Sequence, residues 1–182
     1  MRSLFISFLT AVIICSSAQA QTEKGDWMIG GSMTISTATN NSQFALEPSA
    51  GYFFANNFVA GASFSLDFGK TGNQKNTSES VGPFARYYFN LKSPTFKPFL
   101  HAEYNIGNMV TKFPDSKSSN TFGNFLLGAG GAIFINNNVA LEAIAGYNHT
   151  KVQGSSVENG FLFRLGFQVY LLGSQVDRVR GK

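Results

Sequence analysis

The chain has 182 residues, room for one domain, with 14% aromatic residues, 19 Phe, 19 Gly and only 13% charged residues. An ordinary soluble domain carries about 25% charged residues, so this composition excludes a disordered chain and leaves unusually little charge to face water. The formal charge of +4 is scattered among loops and ends, which argues against a nucleic-acid surface, and nothing beyond residue 20 approaches the roughly 20 apolar residues of a membrane helix.

Residues 1–20 read as a secretory signal peptide. Met1-Arg2-Ser3 is a short positive start, Leu4 to Cys15 is an apolar-rich run, and Ser16-Ser17-Ala18-Gln19-Ala20 offers small residues before a cut at Gln21. A run of 12 residues is too short for a membrane anchor. A lipoprotein signal is disfavoured because Ile14 precedes Cys15 where a small residue is needed. Cleavage at Ala20 removes the only cysteine and leaves 162 residues at +3, from 13 basic and 10 acidic side chains. Such an exported chain forms no disulfide and has no catalytic cysteine.

From residue 26 onward the hydrophobic pattern has a period of two. It predicts strands over about 26–36, 44–54, 58–68, 80–90, 97–107, 122–135, 139–149 and 159–172. Each is at or above the nine to eleven residues of a tilted membrane strand. The third segment sets Phe58, Ala60, Ala62, Phe64, Leu66 and Phe68 against Val59, Gly61, Ser63, Ser65 and Asp67. In 122–135, Gly128-Ala129-Gly130-Gly131 leaves the facing ambiguous. Asn56-Asn57 and Asn136-Asn137-Asn138 are tight turns, with a slightly longer one from Leu91 to Phe96. The other connections, 37–43, 69–79, 108–121 and 150–158, are expected to be longer polar loops. Residues 51–60 and 131–140 echo one another, as one hairpin turn used twice.

The charges decide which face looks inward. Glu47, Asp67, Arg86, Glu103, Glu142 and Arg164 sit mid-strand or nearly so, on a face shared with Gly, Ser, Ala and Gln. The opposite face carries Phe, Leu and Tyr without charge. A crowded interior suits the first face and lipid suits the second, while closure leaves no strand edge unpaired in a medium without water. The expected fold is therefore all-β: a transmembrane antiparallel up-and-down β-barrel of eight strands. Trp27, Tyr52, Phe54, Tyr87, Phe89 and Tyr170 lie near the short-turn end and are expected to form an aromatic girdle at headgroup depth.

The signal peptide, the eight strands, the uneven connections and the aromatic and Gly-rich strands together resemble small eight-stranded outer-membrane barrels. These are the OmpA-transmembrane-domain and OmpX-like proteins, the outer membrane protein beta-barrel domain family. The resemblance covers nearly all of the mature chain, with 1–20 as signal peptide, 21–172 as barrel and 173–182 as a short polar tail. It implies a monomer in the outer membrane of a Gram-negative bacterium, exported and then inserted by the barrel-assembly machinery. Family members often end on an aromatic residue read by that machinery; here Tyr170 stands in that role, because Gly173 to Lys182 is polar and basic. No peptidoglycan-binding domain follows in this sequence, so wall anchoring is not implied.

Closing the hairpin over residues 90 to 97 brings Arg86 opposite His101 and diagonal to Glu103, and the last hairpin brings Glu142 towards Arg164. The expectation is a lumen charge network of Glu47, Asp67, Arg86, His101, Glu103, Glu142 and Arg164 that fills the interior and holds strand register. A narrow gated channel, opened by re-pairing these charges, is one alternative. A lipid A-modifying enzyme is another, but His101 and His149 have no matching Ser–His–carboxylate set, so no catalytic residue is assigned. A soluble lipocalin-like binding barrel is the third. Two distant histidines make no metal site, and no cofactor is expected. Asn-x-Ser/Thr triplets at Asn40, Asn76 and Asn148 are what Asn-rich loops produce by chance. The expected partners are outer-membrane lipid and lipopolysaccharide; Lys70, Lys75, Lys112, Lys117 and Lys151 read first as parts of ordinary solvated loops, with contact to anionic lipopolysaccharide or another surface as the alternative.

Overall fold

The structure, a computed structural model, describes residues 22–173 apart from 39–40, 73, 92, 94, 114–115 and 155–156. The predicted signal peptide and all but the first residue of the predicted tail lie outside the described residues. Eight strands follow in chain order: β1 (Trp27–Ala38), β2 (Asn41–Ala55), β3 (Phe58–Thr71), β4 (Gln74–Tyr88), β5 (Phe96–Lys112), β6 (Lys117–Phe134), β7 (Val139–Val152) and β8 (Val157–Leu171). Each pairs antiparallel with its sequence neighbour, and β1 pairs with β8 from Trp27↔Leu171 to Met33↔Leu165. The sheet is thus a closed barrel, and among the described residues the β1–β8 seam has no ladder pair beyond Met33↔Leu165.

Alternation along each strand separates two faces. On β5 the outward side chains Phe96, Leu100, Tyr104 and Ile106 are exposed while His101, Glu103 and Asn105 are buried. The ten steps from Phe96 to Ile106, at about 3.4 Å each and tilted about 40°, give an apolar band about 25 Å tall. That is the hydrocarbon thickness an outer-membrane barrel presents to lipid. The ambiguous sixth strand resolves in the same way: Phe125, Leu127 and Ile133 point out, and Leu126, Ala132 and Phe134 are buried.

The connections differ from expectation. The stretches 37–43, 69–79, 108–121 and 150–158 are mostly strand, because the ladders run on to Ala38↔Asn41, Thr71↔Gln74, Lys112↔Lys117 and Lys151↔Val157. The longest connection is instead residues 89–95, at the end that carries the chain termini. Backbone hydrogen bonding continues past the membrane once a register is set, and a strand polar on both faces shows no hydrophobic period. At the terminal end, Asn57 takes a left-handed φ of 66° in the β2–β3 turn. The Asn136 carboxamide oxygen accepts from the Asn138 and Val139 backbone N–H groups at 2.8 Å in the β6–β7 turn.

Candidate functional site

The barrel interior is the only region where the described residues gather buried charge. It is built in layers from the terminal end. Lowest is a small polar cap. Lys97 Nζ donates to Thr22 Oγ1 at 2.7 Å, and Asp26 accepts from the backbone N–H groups of Glu23 and Gly173 at 3.1 and 3.0 Å. Asp26 thereby ties the start of the barrel to its end.

Above the cap lies an aromatic layer of Phe53, Tyr88, Phe99, Phe134 and Tyr170, each at most 2% exposed. Ring centroids are 5.0 Å apart for Phe134 and Tyr170 and 5.4 Å for Tyr88 and Phe99, within ordinary aromatic packing distance. Phe99 fits because Gly130 has no side chain: a Cβ there would lie 2.7 Å from Phe99 Cε2.

The charges begin directly on this layer. Arg86 Nη1 donates to Glu142 Oε2 at 2.6 Å, with side chains 8% and 6% exposed. The other carboxylate oxygen, Glu142 Oε1, accepts from the hydroxyls of Tyr88 and Tyr170 at 3.1 and 2.9 Å. The guanidinium carbon stands 4.3 Å from the Phe99 ring centroid, a cation–π contact. Arg86 Nε also donates to His101 Nδ1 at 3.3 Å, which leaves Nε2 to donate to Glu103 Oε2 at 3.2 Å. Glu103 is saturated further by Ser63 Oγ at 2.5 Å and Asn105 Nδ2 at 2.6 Å. Arg164 completes the upper layer by bridging Glu47 and Glu103. A cavity of about 30 Å³ remains between the two layers, room for about one water molecule. Beyond Arg164 the lumen opens into a polar cup of about 580 Å³ lined by residues such as Gln43, Asp67, Asn76, Asn124 and Glu158. Asp67 sits in its wall and accepts from Ser65 Oγ at 2.9 Å.

The family described as outer membrane protein beta-barrel domain matches residues 6–169. The chain belongs to that family. Three solved structures of other proteins share this fold. Neisserial surface protein A matches with a TM-score of 0.62 at 23% identity, over 80% of this chain and 97% of that one. The N-terminal β-barrel domain of Pseudomonas aeruginosa OprF gives 0.58 at 15%, over 81% and 98%. Ail, the attachment invasion locus protein of Yersinia pestis, gives 0.50 at 16%, over 81% and 99%. No curated protein sequence matches the chain significantly.

Two expectations about this outer-membrane barrel need correction. Tyr170 is not on the outer face: strand parity puts it with Gly166 and Gln168, and its ring is 0% exposed over the lumen. Trp27, Tyr52, Phe54, Tyr87 and Phe89 do lie outside, with Trp27–Tyr52 and Tyr87–Phe89 edge contacts at 5.2 and 5.3 Å. The ion pairs are also different. Register does set Arg86 opposite His101, but Arg86 pairs with Glu142 rather than Glu103, and Arg164 with Glu47 and Glu103 rather than Glu142. Sequence registers only adjacent strands, whereas in a narrow barrel a long side chain reaches its partner across the lumen. Arg86 on β4 thus meets Glu142 on β7.

Sequence reasoning also passed over Met28, Ser63, Tyr88 and Asn105. The signal was available for Tyr88, which stands two residues from Arg86 and therefore on the same face. His149 is exposed at the hairpin end and its Nδ1 contacts Asn159 Oδ1 at 2.7 Å, with no carboxylate among its described partners. Among the described residues, no group of three or more His, Cys, Asp or Glu side chains is placed to hold a metal ion.

Proposed function

We propose that this chain is an outer-membrane barrel with a closed lumen and no catalytic centre, whose role is structural and is exercised at the cell surface through its hairpin end. The observation that carries this reading is the Arg86–Glu142 layer resting on five rings that are each at most 2% exposed. In this reading residues 1–20 are removed on export. Residues 21–172 form a monomeric barrel inserted by the assembly machinery, with both termini in the periplasm and residues 173–182 as a polar tail. The outward aromatic side chains at the terminal end anchor the inner headgroup level. Re-pairing of the plug charges into a gated pore is disfavoured, because the aromatic layer would still block the path after every ion pair had moved.

The test has two parts. Outer-membrane fractionation with gel mobility before and after boiling should show membrane enrichment and a heat-dependent shift. The purified barrel in a planar lipid bilayer should give no discrete conductance steps. A soluble periplasmic protein without a shift, or a stable ohmic channel, overturns the reading.

A further inference from the structure

We infer that Lys70, Lys75, Lys112 and Lys117 form a binding surface for the phosphate groups of the lipopolysaccharide that surrounds the barrel. The inference rests on the outer-membrane reading above and gives it a partner. The four residues occupy one continuous cross-strand row over β3, β4, β5 and β6, through the register pairs Lys70↔Lys75, Lys75↔Lys112 and Lys112↔Lys117. All four are exposed. Their neighbours Gly69, Thr71 and Asn76 line the inner cup, so alternation turns the lysines to the outer face.

Like charges directly opposite on neighbouring strands destabilise a sheet, and here three such pairs follow one another. The described residues offer no relief: none of the four lysines makes an ion pair among them. The nearest acid on that face of β4 is Glu79, four residues or about 13 Å along the strand from Lys75. A sheet that keeps this arrangement is expected to meet counter-charge from outside.

The position selects the source of that charge. The four lysines lie two, six, six and eight residues beyond the last strongly exposed apolar side chains of their strands, Phe68, Val81, Ile106 and Phe125. With about 3.4 Å per residue and a tilt of about 40°, the row climbs from about 5 Å to about 20 Å above the apolar band. That depth is occupied by the headgroups and inner sugars of the outer leaflet, where a phosphorylated glycolipid carries its anions. Lys151 is outside the row, since it pairs with Gly123, six residues down β6 from Lys117. It serves as an internal control.

The experiment uses the full barrel folded in phosphatidylcholine vesicles, titrated with intact lipopolysaccharide, dephosphorylated lipopolysaccharide or inorganic phosphate, with resistance to urea unfolding as the readout. Wild type and Lys151→Gln should be protected by intact lipopolysaccharide. The quadruple Lys70→Gln, Lys75→Gln, Lys112→Gln, Lys117→Gln variant should need at least about tenfold more for the same protection. Without lipopolysaccharide the quadruple variant should be more resistant than wild type, because the row no longer repels itself. Equal titrations for wild type and quadruple variant would overturn the inference. Equal protection by the dephosphorylated lipid, or by inorganic phosphate alone, would overturn it as well. A barrel found in the outer membrane that fails this titration removes only the lysine site, whereas failed fractionation removes the outer-membrane reading beneath it.

Discussion

Arg86→Ala removes the guanidinium that faces Glu142 at 2.6 Å and leaves a carboxylate with 6% side-chain exposure held only by two tyrosine hydroxyls. Breaking a buried ion pair from one side costs about 3–5 kcal/mol. The lost stacking on Phe99 adds about 1 kcal/mol, so the whole effect should be about 4–6 kcal/mol. Arg164→Ala is the comparison, because it also faces carboxylates, yet its side chain is 18% exposed at the floor of the open cup. Water can replace that guanidinium at Glu47, while Glu103, 1% exposed, keeps Ser63, His101 and Asn105 as donors, and a loss of about 1–2 kcal/mol is expected. The double variant Arg86→Met, Glu142→Gln should recover at least half of the single variant's loss, since no charge is then stranded. Urea unfolding in phospholipid vesicles, followed by the fluorescence of Trp27, the only tryptophan, measures all three. If Arg86→Ala costs no more than Arg164→Ala, or if the double variant is as unstable as the single one, the layered account of the plug is wrong.

Tyr170→Phe removes a donor to Glu142 and a hydroxyl contact to Tyr88 at 2.8 Å, and should lower stability by about 1–2 kcal/mol in the same assay. An unchanged midpoint would return Tyr170 to the outer face. Gly130→Ala should cost about 1–3 kcal/mol through overpacking against Phe99, visible as a lower temperature for the boiling-dependent gel shift. On β6, Leu127→Lys should cost about 2–4 kcal/mol because the lysine faces lipid near mid-membrane; an unchanged urea midpoint would contradict the facing of that strand. Asp26→Ala should free the terminal cap and make residues 22–26 more susceptible to protease, read by limited proteolysis of the folded barrel.

Much of this barrel is legible in one dimension. The period of two, the Asn turns and the segregation of Glu47, Arg86, Glu103, Glu142 and Arg164 from the Phe-rich face all follow from strand geometry, in which each residue's face depends only on its parity. The sixth strand shows the limit: with glycine at 128, 130 and 131, parity has too few side chains to reveal itself. The strand extensions at the hairpin end were hidden for a related reason. Residues such as Ser78, Thr121 and Thr150 meet water on the outer face or in the cup, so no hydrophobic contrast marks their alternation, although their backbone pairs as fully as the rest.

Sequence by itself therefore determined the strand count, the closed antiparallel topology and the face taken by the mid-strand charges, because these depend on local alternation and on the need to pair backbone groups in lipid. Only the tertiary structure decided who pairs with whom. Barrel closure brings β4 against β7 across the lumen and β8 towards β2 and β5, distances no hairpin register encodes. Closure likewise stacks the five rings into one layer, while the registers of four successive strands set their lysines in a row that no local window of the chain contains.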